Sequence, residues 1–254
     1  MKTKSILAAA AITAWSGVAC AGFVTTFGQT GNGFAIFPLT TYPEAQTARN
    51  NFVGGGSPAF YDFESAAVGL TSLSLSLGGV TATLSGGGAV RSVPAGDTDE
   101  GRYSVSGVSG GGSAGSRYWE ATAPVGSTSS FKIDFSAAVD SFGFFATDVG
   151  EFLGRVSLVL TRENGTTVEV APGSSALTGT PADGSVLFFG VRADIASDYF
   201  RSVQFKSIGG TTADVFGFDM FTVSAAPALP TPLPGSLALV GAALGGLVLV
   251  RRRR

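Results

Sequence analysis

Apolar and small polar residues alternate through Leu73-Ser74-Leu75-Ser76-Leu77, and the same two-residue period returns in Val80-Thr81-Ala82-Thr83-Leu84 after Gly78-Gly79. A period of two puts every apolar side chain on one face of a strand, and a Gly-Gly pair supplies the positive φ angles of a tight hairpin. The segment therefore predicts two antiparallel strands with one buried face. Phe131-Lys132-Ile133-Asp134-Phe135 repeats the alternation, and Val156 to Thr161 meets Thr166 to Val170 through the turn signal Glu163-Asn164-Gly165. Val186 to Val191, Val203 to Phe205 and Val215 to Val223 add three more strands. Ala59 to Glu64 reads as the first strand of the set, with Asp62 and Glu64 on the side opposite Phe63. At least nine short strands separated by turn residues predict an all-β fold, an antiparallel β-sandwich of jelly-roll-like form.

One segment breaks the period of two. Thr41-Tyr42-Pro43-Glu44 has the form of a capping box, with Thr41 as N-cap, Pro43 in the first turn and Glu44 reaching back. Ala45, Ala48 and Phe52 then recur on one helical face until Gly54 to Gly56, predicting a short helix over 42–53 that packs against an end or edge of the sandwich. Gly22 to Pro38 shows no clear period and predicts no element.

The two ends of the chain follow other rules. Lys2 and Lys4, an apolar run from Ile6 to Trp15 and Ala19-Cys20-Ala21 form the three regions of a signal peptide over 1–21, handled by the Sec translocon, which predicts a mature chain beginning at Gly22. Acylation of Cys20 is disfavoured because Gly17 stands where a lipobox has a large aliphatic residue. At the other end an extended Pro/Ala-rich linker over 225–232 leads to Pro232-Leu233-Pro234-Gly235, an apolar transmembrane segment over 235–250 and the basic tail Arg251, Arg252, Arg253 and Arg254. Arginines resist translocation, so this segment halts in a membrane with its tail on the cytoplasmic side. Between these ends lie an N-terminal segment over 22–57, which carries the helix, and the sandwich domain over 58–224.

Composition narrows the chemistry. From Gly22 to Thr231 the chain has 10 basic and 18 acidic residues, a net charge of −8, which excludes nucleic acid as a partner because phosphate binding needs a basic face. The sole cysteine is Cys20, so stability cannot rest on disulfides once the signal peptide is removed. Phenylalanine is abundant, 20 residues, and Phe142, Phe144, Phe145, Phe188, Phe189, Phe216, Phe218 and Phe221 fall in strands as core candidates. Trp119, Tyr118, Tyr103 and Tyr199 carry polar tips that suit partly exposed positions, and Trp119 with Tyr118 are the candidates for stacking on a sugar ring. Gly111-Gly112-Ser113-Ala114-Gly115 matches the nucleophile-elbow pattern in a Gly/Ser-rich loop, but the chain has no histidine. That removes a Ser-His-Asp triad and the ordinary zinc sites, and no carboxylate pair has a diagnostic spacing, so no catalytic residue is assigned and no enzyme is predicted. Grouped acids at Asp62/Glu64, Asp97-Asp99-Glu100, Asp148/Glu151 and Asp214/Asp219 offer oxygens of the kind calcium needs, without an EF-hand spacing.

Pro232-Leu233-Pro234-Gly235, the Gly/Ala/Leu run and the four arginines resemble the PEP-CTERM sorting signal of Gram-negative bacteria, with Leu233 where the family has glutamate. The resemblance covers 233–254 as the signal and extends into the body through Phe63-Glu64-Ser65, Leu77-Gly78-Gly79-Val80-Thr81, Phe142 to Gly150, Leu187-Phe188-Phe189-Gly190 and Phe216-Gly217-Phe218-Asp219. It implies an exosortase-type processing enzyme as partner, passage through the membrane, and a final place at the cell surface or outside it. It also implies a jelly-roll body similar to carbohydrate-binding domains, with a structural Ca2+ on Asp62, Glu64 and Asp219 and, next, on Asp148 and Glu151. The expected role is that of a non-enzymatic envelope or extracellular-matrix protein, structural or adhesive and linked to exopolysaccharide. The alternative is a calcium-dependent carbohydrate-binding module.

Overall fold

The computed structural model describes residues 22–31, 37–56, 58–94, 96–105, 115–125, 129–150, 155–172, 184–208 and 212–225. The expected signal peptide, the expected linker beyond residue 225, Pro232 to Gly235, Arg251 to Arg254, Glu151 and residues 111–114 of the nucleophile-elbow match lie outside them. Among the described residues no helix is long and apolar enough to cross a membrane, and the expected span over 235–250 falls outside that set.

Twelve strands and one α-helix are present among the described residues: β1 (Phe23–Thr30), α1 (Pro43–Val53), β2 (Ala59–Tyr61), β3 (Ser72–Leu77), β4 (Val80–Gly86), β5 (Ala89–Ser92), β6 (Arg117–Ala123), β7 (Ser129–Thr147), β8 (Arg155–Arg162), β9 (Thr167–Val170), β10 (Val186–Ala193), β11 (Phe200–Ile208) and β12 (Asp214–Ala225). All pairings are antiparallel. The first half of β7 pairs with β4 and β11, and its second half with β10 and β12. The 19-residue strand thus passes from one sheet to the other. The exchange falls where the alternation slips, since Ser136 and Ala137 are both exposed between buried Phe135 and Val139. One sheet runs β1-β10-β7-β12-β6-β5, with β2 beside the far half of β12; the other runs β3-β4-β7-β11-β8-β9.

Between the sheets lies a core of aromatic and branched side chains that includes every strand phenylalanine named above except Phe145 and Phe188. Those two point to the opposite, outer face of the first sheet. There they join Tyr42, Ala45, Ala48, Phe52, Tyr103, Tyr118, Val186 and Met220 in a second, smaller core. The first sheet is therefore buried on both faces. This is why Val186 to Val191 is a continuous apolar run rather than an alternating one.

Helix α1 forms this outer core and lies across β1 and β10 rather than at an end of the sandwich. Its seat is a pair of facing glycines, Gly143 and Gly190, which are direct cross-strand partners. A Cβ on Gly190 would stand 2.5 Å from the Phe52 ring, and one on Gly143 would stand 2.8 Å from Phe188 and 3.0 Å from Phe52. Gly190→Ala should therefore destabilise by about 1–3 kcal/mol through overpacking. Adding Phe52→Leu should recover part of that loss in denaturant titrations, because the two changes act on one contact. Strictly additive losses would refute the seat.

The capping box is not made. The N-cap is Tyr42, with no side-chain bond to the helix, and the first turn is capped from another strand. Thr30 Oγ1 of β1 accepts from Glu44 N at 3.2 Å and donates to Glu44 Oε2 at 2.6 Å, so Glu44 turns toward Thr30 instead of back along its own chain. Phe23 to Thr30, in the stretch given no element by the pattern, form β1 by pairing along the whole of β10. The expected strand over Ala59 to Glu64 stops at Tyr61. Phe63 takes a left-handed φ of 60° so that its fully buried ring can meet Tyr61 and Phe221 at 5.1 Å each.

Candidate functional site

Five of the acids singled out by sequence, Glu64, Asp219, Asp99, Glu100 and Asp148, fall into two groups joined by the segment 96–105, which lies across the outer face of the first sheet. Tyr103 holds this strap down: its N–H donates to Thr147 Oγ1 and its hydroxyl to the Gly184 carbonyl. Tyr42 donates its hydroxyl to Val105 O, tying the strap to the start of α1. Burial pushes both phenols well above their ordinary range, so they stay neutral hydrogen-bonding groups.

The first group is Glu64 and Asp219, brought together on Ser104. Ser104 Oγ lies 2.8 Å from Asp219 Oδ2 and 3.3 Å from Glu64 Oε1. Asp219 also accepts from Val105 N at 2.9 Å and from Met220 N at 2.6 Å. Glu64 Oε1 accepts from Ser116 N at 2.9 Å and Arg117 N at 2.8 Å, while Oε2 accepts from Ser116 Oγ at 3.2 Å. Arg117 Nη1 returns bonds to Glu64 O and Ala66 O. The turn after β2, the strap and the first residues of β6 are thus clasped together by two carboxylates. Asp62 stands apart from the pair: its Oδ1 accepts from Glu64 N at 3.2 Å, and because β2 has ended it does not share a strand face with Glu64.

These carboxylates are the ligands expected for calcium. A calcium ion needs carboxylate and carbonyl lone pairs turned to one centre. Here the oxygens of Glu64 and Asp219 face N–H and O–H donors, and Asp148 faces a guanidinium. Among the described residues these carboxylates take part in a hydrogen-bonded clasp and an ion pair.

Asp219 is 2% exposed. Burial pushes its carboxyl well above the usual carboxylate range, the bonds from Ser104, Met220 and Val105 pull it back, and the charge of Glu64 adds to the rise. The folded chain therefore keeps this proton to higher pH than the unfolded one. Its contribution to stability is full below about pH 3.9 and is lost as pH climbs through the raised folded value. Heat midpoints should fall over that window in the parent and fall less in Asp219→Asn; parallel profiles would rule out the assignment.

The second group is built on Arg102, whose side chain is 8% exposed. Its guanidinium lies 3.3 Å from Asp99, 3.3 Å from Glu120, 3.6 Å from Glu100 and 3.7 Å from Asp148. Burial works against the cation, but Asp99, Glu120, Tyr118 and Asp148 outweigh it and raise its pKa further. Glu120 also takes Arg91 Nε at 2.9 Å. Asp148 sits at the end of β7 with a φ of 65° and is 1% exposed. The structure therefore places Asp148 with Arg102, and Arg102, absent from the expected site, is the centre of this group. Its one sequence signal is a lone basic residue directly after Asp97-Thr98-Asp99-Glu100-Gly101.

The stacking candidates are corrected. Trp119 and Tyr118 are both 0% exposed. They are neighbours in β6, so they point to opposite faces of the first sheet: Trp119 enters the inter-sheet core against Phe131 at 5.8 Å, and Tyr118 enters the outer core. Both faces are covered, so neither ring can meet a sugar. Tyr103 is buried as well, and Tyr199 is partly buried.

The open surface lies on the second sheet. On β3 and β4 the outward positions are Ser72, Ser74, Ser76, Thr81 and Thr83, and on β7 they continue as Lys132, Asp134 and Ser136. Ser74, Thr83 and Asp134 share one cross-strand row, and Ser72, Ser85 and Lys132 another. Lys132 and Asp134 pair at 2.6 Å, so the patch is hydroxyl-lined and electrically neutral within an acidic chain.

Fold and site together define an antiparallel β-sandwich module with one roofed sheet and one open sheet. No family model matches the sequence, and no curated protein does. Among solved structures the chain is similar to the K2 cleaved adhesin domain of Lys-gingipain (Kgp), with 16% identity and a TM-score of 0.36 over 68% of this chain and 100% of that one. It is also similar to TmCBM61 in complex with beta-1,4-galactotriose, with 14% identity and a TM-score of 0.34 over 57% of this chain and 88% of that one. A third similarity is to the family 11 carbohydrate-binding module of the cellulosomal cellulase Lic26A-Cel5E of Clostridium thermocellum, with 12% identity and a TM-score of 0.30 over 67% of this chain and 95% of that one. At these identities and scores the similarities carry no argument about ligand or activity.

Proposed function

We propose that this chain is an exported, non-catalytic module of the cell envelope or extracellular matrix, delivered by its signal peptide and its C-terminal sorting signal, and that it contacts exopolysaccharide through the open face of its second sheet. The observation that carries this reading is the neutral, hydroxyl-lined patch on β3, β4 and the first half of β7. Serine and threonine side chains lose little conformational freedom on binding and offer donors and acceptors to the hydroxyls of a neutral polymer, whereas long charged side chains would have to be ordered and desolvated. The acids that might have served catalysis are occupied in the Glu64–Ser104–Asp219 clasp and around Arg102, which supports a non-enzymatic role.

Thr83→Arg and Ser74→Arg place bulk and charge in the middle of the patch at exposed positions. Both variants should keep the parent heat midpoint and lose retention on the exopolysaccharide of the producing cell in a sedimentation assay. Unchanged retention would exclude this face. The calcium expected from the family resemblance is tested by heat midpoints with added Ca2+ and with chelator: equal values accord with the clasp, and a rise with Ca2+ would reassign Glu64 and Asp219 as ligands, because an ion bound only by the folded state must raise stability.

A further inference from the structure

Residue 22, where the mature chain is expected to begin, is built into the sandwich. Its carbonyl accepts from Asp194 N at 3.0 Å, extending the β1–β10 ladder by one bond beyond Phe23. Across from it stands Asp198, only 7% exposed, in a single turn of 3-10 helix between β10 and β11. One oxygen of this carboxylate, Oδ1, accepts from Arg162 Nε at 2.7 Å, and Arg162 is itself laid over the Phe23 ring at 5.2 Å. The other, Oδ2, is aimed at residue 22: a Cβ there would lie 2.3 Å from it. Only glycine leaves the space, and its φ of 91° suits no other residue well.

The backbone nitrogen of Gly22 is bonded to the same Cα. Standard bond lengths and angles put that nitrogen within roughly 5 Å of Asp198 Oδ2. In the uncut chain it is a neutral amide with one N–H. Once the bond between Ala21 and Gly22 is hydrolysed it becomes an ammonium with three N–H donors and a full positive charge. We propose that Asp198 is the receptor for this new N-terminus, so that removal of the signal peptide completes an ion pair at the edge of the first sheet. The inference rests on the export reading above, and it adds a structural consequence to processing. The charged groups around the amine are Asp198 and Arg162, with Asp194 at the end of β10. Arg162 occupies Oδ1, which leaves Oδ2 to the amine and lets one carboxylate serve both cations.

The test is competitive acylation of amines on the exported full-length protein, after its N-terminus has been sequenced. Past the signal peptide the chain has only two lysines, Lys132 and Lys206, which serve as internal references. An ammonium held by a carboxylate is protonated to higher pH than the ordinary α-amine, whose pKa is about 7.7–8.0, and reacts more slowly below it. At neutral pH the Gly22 amine should react about tenfold more slowly in the parent than in Asp198→Asn, a one-unit change in pKa, while Lys132 and Lys206 react alike. A pH–rate profile of the parent alone, with its midpoint above that of a free α-amine, gives the same readout without a variant. A protein that starts at Gly22 and labels at the rate of Asp198→Asn overturns the ion pair while leaving processing intact. A start at any other residue overturns the processing reading, and the proposal with it.

Discussion

Replacing Phe205 with alanine should lower the free energy of unfolding by about 3–5 kcal/mol, the range for deleting a fully buried aromatic ring. Phe205 belongs to β11 in the second sheet, and its ring lies against five others: Phe131 at 4.2 Å, Phe144 at 4.9 Å, Phe218 at 5.3 Å, and Phe142 and Phe221 at 5.8 Å. Phe142, Phe144, Phe218 and Phe221 come from the first sheet, so this side chain bridges the two layers. Its neighbours are rigid rings held on β7 and β12, which cannot collapse into the space a methyl group leaves. The void therefore persists, and the loss includes both the transfer of the ring to water and the missing contacts. Phe205→Leu should lose less, because it retains much of the volume. Phe60→Ala, at a position 44% exposed, should stay within about 0.5 kcal/mol. Urea titrations that gave equal losses for Phe60 and Phe205 would contradict this core.

Arg102→Leu should cost a comparable amount, about 3–5 kcal/mol, for an electrostatic reason. The substitution keeps an apolar stem but removes the cation that faces Glu120 and Asp148, carboxylates whose side chains are 15% and 1% exposed. Removing that cation takes away a group that offsets the cost of burying these carboxylates. The strap 96–105 should then loosen, taking with it the clasp that Ser104 and Val105 make with Asp219. Adding Asp148→Asn to Arg102→Leu removes part of the stranded charge, so the double variant should be more stable than the two single losses predict when added. Strict additivity would show that Arg102 and Asp148 act independently.

The elements that were legible in the sequence are those with one buried face and those, such as Val186 to Val191 and Val215 to Val223, that carry near-continuous apolar runs. Leu73 to Leu77 and Val80 to Leu84 pair in the expected register around Gly78 and Gly79, whose φ angles are 61° and 91°. The Glu163-Asn164-Gly165 turn likewise joins β8 to β9, with Gly165 at a φ of 84°. β6 escaped the pattern because Tyr118 and Trp119 are adjacent and both buried, one on each side of a sheet covered on both faces. β1 escaped it because its partly buried residues share their cover among β10, α1 and solvent, so no period survives.

The site was less legible than the fold. Asp62, Glu64, Asp148 and Asp219 were all picked out by their chemistry, but their partners lie far away in sequence: Ser104 and Val105 for Asp219, Ser116 and Arg117 for Glu64, Arg102 for Asp148. Sequence spacing cannot distinguish a carboxylate that faces N–H donors from one that faces a cation, because the difference lies in which loop is folded over it. Trp119 shows the same limit from the other side, since a ring with a polar tip suits an exposed edge until a second layer covers it.

By itself the sequence determined the antiparallel β architecture, the phenylalanine core and the acidic, cysteine-free character of residues 22–231, because period, turn chemistry and composition act locally. Only the tertiary structure decided that β7 serves both sheets, that α1 and the 96–105 strap roof one of them, and that Glu64, Asp219 and Asp148 meet Ser116, Ser104 and Arg102 from distant parts of the chain. Those outcomes depend on contacts between residues tens to more than a hundred positions apart, where burial on two faces overrides the alternation that a single strand displays.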